Sequence, residues 1–241
     1  MARLLPLLVL IVSVTFAVSP FFVTNFAGFD PNLFPVPQEN PPVQPAGWAF
    51  AIWGLLYVWL IVSAGYGLLK RADHPQWQPA RPWLFLSLGL GTFWLAMAEQ
   101  TVLGATILIW VMLILALKAL WATPKRDRWW LQAPVATYAG WLTAASSVSV
   151  GLVLGGWGLM DQTAAALVAL VIALVLGLGV QLKLGRAPGY GAALIWALAA
   201  VVARNANPVN TPVAALAALG VIALVVALVM VRRKRKAAAT A

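Results

Sequence analysis

Eight apolar runs dominate this chain, at residues 4–25, 46–69, 82–100, 102–122, 130–153, 163–183, 189–205 and 211–231. A helix needs roughly 20 mostly apolar residues to cross the hydrocarbon core of a bilayer. Lipid offers no partner to backbone polar groups, so such runs are stable there only as helices that satisfy their own N–H and C=O groups. The chain is 63% hydrophobic and 9% charged, whereas a soluble domain is about half apolar and about a quarter charged. The sequence therefore predicts an all-α integral membrane protein, a bundle of about eight transmembrane helices. The first run continues through Phe21 and Phe22 without a small-residue cleavage site, and is read as a span rather than a signal peptide.

The charges test this count. Arg3, the group Lys70, Arg71 and Arg81, the group Lys118, Lys125, Arg126 and Arg128, the pair Lys183 and Arg186, and the run Arg232–Lys236 fall at alternate connections. The intervening ones carry Asp30, Glu39, Glu99 and Asp161, with Arg204 as the basic exception. Cytoplasmic connections are enriched in Lys and Arg, so this alternation predicts a multi-pass protein of the cell inner (plasma) membrane with both termini cytoplasmic. The net charge of +10 is then a matter of topology and not of nucleic-acid binding. The tail RRKRK leaves two readings open, an orientation signal alone or also a holder of anionic lipid heads.

Conventional catalytic signatures are missing. The chain has no cysteine, and its one histidine, His74, falls in a polar connection. There is no H-E-x-x-H and no Walker loop, and the acidic residues are too scattered for a metal centre. An ionisable residue within a span is a functional candidate. Arg204, beside Asn205, Asn207 and Asn210, is the best such residue: it suits a polar contact to a ligand carboxylate or to Glu99, or a snorkelling position at a helix C-terminus.

Aromatic residues recur at helical spacing. At about 100° per residue, Phe50, Trp53 and Tyr57 share one face of the second span. Trp83, Ser87, Gly91 and Trp94 form a stripe on the third, and Tyr138, Trp141, Ala145 and Ser149 one on the fifth. Thr137, Thr143, Ser146 and Ser147 make the fifth unusually polar. Each stripe alone suits helix packing through small residues and hydroxyls. Three together point to a shared apolar cavity with a few placed polar groups, the usual form of a small-molecule site.

The stretch PAGWAFAIWGLLY (45–57) resembles the signature of the TspO/MBR family of tryptophan-rich sensory or translocator proteins, carried by Pro45, Gly47, Trp48, Phe50, Trp53, Leu56 and Tyr57. Trp94 resembles the deep tryptophan of that family's third helix, and Trp141 the one in its fifth. The resemblance covers residues 1–153, five spans. It implies a receptor, sensor or carrier that binds a planar ligand such as the tetrapyrroles protoporphyrin or haem; a porphyrin-degrading activity, proposed for some members, ranks below a non-enzymatic role because no acid, base or nucleophile stands in position. The implied site lies under the first loop and is walled by Trp48, Phe50, Trp53, Tyr57, Trp94, Tyr138 and Trp141. The family's asparagines near the last two tryptophans are absent here, where the chain reads LGLGTFW and WLTAASS. A loose sterol pattern, Val62, Tyr66 and Lys70, lies in the second span.

The expected organisation is thus a five-helix unit (1–153), three additional spans (154–231) resembling those of longer family members, and a basic tail (232–241). A small-solute transporter and an assembly partner of a membrane complex are the alternatives. Small-residue faces such as GLVLGG (151–156) allow a homodimer.

Overall fold

The computed structural model describes residues 3–23, 28–124 and 127–240, with the backbone alone for 238–240. The end of the first apolar run, the start of the first loop, and the basic residues Lys125 and Arg126 lie outside the described residues. Among those described there are eight α-helices and no β-strand: α1 (Leu4–Val18), α2 (Ile52–Lys70), α3 (Arg81–Ala98), α4 (Val102–Ala122), α5 (Ala133–Gly156), α6 (Gln162–Leu184), α7 (Gly189–Arg204) and α8 (Thr211–Thr240). They fall on the eight apolar runs. Six are long and apolar enough to cross a membrane, counting the 3₁₀ turn Ser19–Phe22 with α1 and the turn Gly47–Ala51 with α2. The other two are α3, with 18 residues, and α7, with 16.

Local chemistry sets several boundaries. Asp161 caps α6 by accepting from the backbone N–H of Thr163 and Ala164, and Gly185 ends that helix in the left-handed conformation that favours glycine. Thr101 caps α4 through Gly104 N–H. α8 does not stop where the apolar run stops. It continues through the basic tail as one 30-residue helix, about 45 Å long at 1.5 Å per residue. That exceeds a hydrocarbon core of about 30 Å, so its last turns carry Arg232–Lys236 to the interface.

The connections sort into two faces. On one, Arg71 after α2 pairs with Asp127 before α5 at 2.8 Å. On the same face Arg186, between α6 and α7, donates to Thr123 Oγ1 at the end of α4 at 2.9 Å. On the other, Val36 N–H of the first loop donates to Gly156 O at 2.8 Å, and Ala46 N–H to Ala200 O at 3.1 Å. Asn205 Nδ2 donates to Pro42 O, and Asn210 Nδ2 to Thr163 Oγ1, both at 2.9 Å. In these contacts among the described residues, alternate connections meet their own kind, as they must if every helix crosses. The first loop meets the C-terminal part of α5 and α7, and Phe34 is buried edge-on to Trp157.

α5 is the hub. In its most apolar stretch 72% of residues are buried, against 28–39% in the other five long helices. It packs on α4, α6 and α7 and touches α2. Small residues allow this. A Cβ on Gly140 would run into the backbone carbonyl of Tyr190 on α7, and one on Gly151 into Ala169 of α6 and Val43 of the loop. The GLVLGG face is therefore used within the chain, with Gly156 against Phe34. Large apolar side chains such as Val58, Val62, Ile107 and Val175 point outwards, each at least 46% exposed, where lipid is their natural solvent.

Candidate functional site: an aromatic cavity among α1 to α5

Phe50 lies in the 3₁₀ turn that leads into α2, and Trp53 and Tyr57 follow at helical spacing on one face. The indole of Trp53 stacks on the phenol of Tyr57. Phe16 of α1 meets Trp53 and Tyr57 edge-on, at 5.7 and 5.3 Å between centroids. Trp141 of α5 closes the opposite side, edge-on to Phe50 at 6.0 Å and to Trp53 at 6.1 Å. Trp94 of α3 is held by its Nε1, which donates to Ala105 O of α4 at 2.9 Å.

These rings enclose a cavity of about 460 Å³, completed by Pro20, Gly91, Leu95, Ile109, Met112, Leu142 and Ala145. Small-molecule sites span about 300–1,000 Å³ and are mostly apolar. No charged side chain lines this one among the described residues. Gly91 lets Phe16 and Met112 pack directly against α3: a Cβ there would strike both. A second, tighter space of about 80 Å³ adjoins it under the loop, between α5, α6 and α7, and shares Phe50, Trp94 and Trp141 as its wall.

Five of the residues expected from the sequence thus meet: Phe50, Trp53, Tyr57, Trp94 and Trp141. Trp48 does not. It is 47% exposed and packs edge-on to Trp196 of α7 at 4.7 Å, while Trp196 Nε1 donates to Ala49 O at 2.9 Å. Tyr138 lies behind the wall, fully buried, edge-on to Phe16 and with its hydroxyl 3.1 Å from Ser87 Oγ. Ser87 Oγ in turn donates to Met112 O at 2.8 Å. Arg204 sits at the C-terminal end of α7, away from both spaces, and donates to Asn40 of the loop. Tyr66, of the sterol-like pattern, is covered by Trp130, stacked at 4.4 Å.

The polarity of α5 goes into packing. Thr143 and Ser147 donate to carbonyls one turn back, Ser146 reaches Ile109 O of α4, and the Thr143 hydroxyl lies 3.0 Å from that of Tyr190 on α7. One donor is left over. The Nε1 of Trp141 is buried and has no hydrogen-bond partner among the described residues. Leaving a buried donor unmade costs about 1–3 kcal/mol. Phe16 was missed by the sequence reading, because one phenylalanine in a uniformly apolar helix carries no signal of which face turns inward.

Fold and site together define a multi-pass α-helical membrane protein with an aromatic-walled, uncharged internal cavity. A family profile described as TSPO-like protein matches residues 6–231, all eight helices, and the chain belongs to that family. No curated protein and no solved structure matches it.

Proposed function

We propose that this protein is a membrane receptor, sensor or carrier that holds a planar hydrophobic ligand of the tetrapyrrole class in the aromatic cavity. The observation that carries the reading is the ring arrangement itself. Six aromatic side chains from α1, α2, α3, α5 and the turn before α2 surround about 460 Å³ without a charge. Stacked and edge-on rings favour a flat, polarisable guest. Ionised carboxylates are costly in such a space, so acidic substituents would sit at its outer mouth, near Pro20 and Leu95. With no carboxylate, histidine, lysine or arginine among the lining residues, the reading is one of binding rather than turnover. The basic face is assigned to the cytoplasm by the positive-inside rule, which places both chain ends there and the cavity in the outer half of the inner membrane.

The test is titration of the purified protein in detergent with protoporphyrin, following quenching of intrinsic tryptophan fluorescence. Saturable quenching that is competed by haem supports the reading. Linear, non-saturating quenching of a protein whose helical content is intact by circular dichroism removes tetrapyrroles from consideration.

A further inference from the structure

A second cavity, of about 640 Å³, opens on the basic face between the turn preceding α5, the α6–α7 connection and the end of α8. Its charged lining is Arg128, Arg186, Arg232, Arg235 and Lys236, and no acidic residue lines it. Its inner end is apolar, formed by Pro188, Leu228, Val229 and Val231. One of these cations is held in place. Arg186 is fixed by three bonds to the end of α4, to Thr123 Oγ1 at 2.9 Å, Trp121 O at 3.0 Å and Leu120 O at 3.4 Å. The connection that carries it is pinned by the buried Gln181, whose Nε2 donates to Arg186 O and whose Oε1 accepts from Gly191 N–H, each at 3.0 Å. Burial, and then the positive charge of Arg235 facing it, push the Arg186 guanidinium below its usual range.

The helical extension of α8 divides the basic run. Arg232, Arg235 and Lys236, spaced as i, i+3 and i+4, line the cavity, whereas Arg233 and Lys234 do not. Four arginines, Arg128, Arg186, Arg232 and Arg235, around one space with no acidic side chain among its described lining residues call for an anion. The apolar floor continues into the outward face of α8, where Val225, Val226, Val229 and Met230 are each at least 45% exposed. One ligand class has an anionic head, a phosphate to match guanidinium groups and an acyl chain to follow such a floor.

We propose that this cavity is a headgroup site for an anionic phospholipid, its phosphate held by Arg235, Arg232 and Arg186 and its acyl chain running along α8. The shared chemistry with a soluble phosphate is the phosphate oxygen set; the apolar continuation assigns the lipid.

The experiment uses the full chain in detergent, loaded with mixed phosphatidylglycerol and phosphatidylcholine and analysed by native mass spectrometry. Two variants remove the same number of tail charges, Arg232→Gln with Arg235→Gln and Arg233→Gln with Lys234→Gln. A basic residue near an anionic lipid surface contributes about five-fold in affinity. The first variant is expected to lose phosphatidylglycerol retention by about 25-fold, and the second to keep it within about two-fold. Equal loss in both variants would mean diffuse attraction by the tail and overturn the site. So would equal retention of phosphatidylcholine by the native chain. Displacement of the lipid by inorganic phosphate at matching concentration would reassign the cavity to a soluble anion and overturn the lipid assignment.

Discussion

The indole of Trp53 and the phenol of Tyr57 stack one turn apart on α2, 5.4 Å between centroids and 17° from parallel. They form one wall of the cavity, and no hydrogen bond of the fold depends on the Trp53 ring. Truncating an aromatic anchor in a buried site costs about 2 kcal/mol or more, equivalent to about 30-fold in affinity. Trp53→Ala is therefore expected to weaken protoporphyrin binding by at least about 30-fold with helical content unchanged. Tyr138→Phe is the contrast. Its hydroxyl serves Ser87 behind the wall, so affinity should hold while stability falls by about 1 kcal/mol. Unchanged affinity in the first variant, or a comparable loss in the second, would move the ligand out of this space.

Trp141 presents a different case, because its Nε1 is buried and unpartnered among the described residues. Trp141→Phe deletes the stranded donor but leaves a smaller ring. Removing an unmade donor is worth about 1–3 kcal/mol, and the lost packing opposes it at a similar magnitude. The ligand-free protein should unfold within a few degrees of the native one in a fluorescence melt. The rise in melting temperature on adding protoporphyrin should shrink, since the ligand loses part of its aromatic wall. An undiminished rise would mean that the Trp141 indole takes no part in recognition.

At the basic face, Asp127 accepts from Arg71 Nε at 2.8 Å and from Trp77 Nε1 at 2.9 Å. The bond from Arg71 holds its carboxyl below the usual carboxylate range, aided by the bond from Trp77. A group whose folded pKa is depressed stabilises the fold above its unfolded pKa, about 3.9 for Asp. That contribution is lost as pH falls through the lower folded value. The native protein should therefore lose thermal stability from about pH 4 downward. Asp127→Asn should lower stability at neutral pH and flatten that acid limb. Asparagine is the fitting replacement, because residue 127 adopts a left-handed φ of 54° that Asn tolerates. Parallel acid limbs in the two proteins would place the titrating group elsewhere.

Much of this arrangement was legible in the sequence, for identifiable reasons. Span number follows from run length, and the charge alternation fixes which connections share a face. Phe50, Trp53 and Tyr57 could be placed together because helical spacing puts them on one stripe, and the TspO-like signature singled them out. Tyr138 could not be separated from Trp141 in the same way. α5 is buried on nearly every side, so it has no contrast of apolar and polar faces to show which neighbour each ring meets. Trp48 falls in a 3₁₀ turn, and its contact with Trp196 depends on α7 reaching the start of α2. No pattern within either segment encodes that. The basic cavity was equally hidden, because it joins residues from two separate connections and the end of α8.

The motifs that carry the resemblance end near residue 153, but the family profile runs on to residue 231, and the packing of α5 argues against a folding boundary there. Gly140 lies against the Tyr190 backbone, Thr143 against the Tyr190 hydroxyl, and Gly151 against Ala169. Removing α6 to α8 would expose this small-residue face to lipid, which cannot fill the close backbone approach or accept the Thr143–Tyr190 pairing. A chain ending after residue 160 is expected to lose the monodisperse peak of the full chain in size-exclusion chromatography. Gly140→Ala in the full chain probes the same contact more gently. A forced methyl against backbone costs about 1–3 kcal/mol, so its melting temperature should fall by several degrees, with the α1–α4 side of the cavity intact. If the fragment 1–160 proves monodisperse, fully helical and able to bind protoporphyrin, the five helices fold on their own and the last three serve another purpose. If it aggregates while Gly140→Ala merely loses stability, the last three helices are the buttress that holds α5, and with it Trp141, in place.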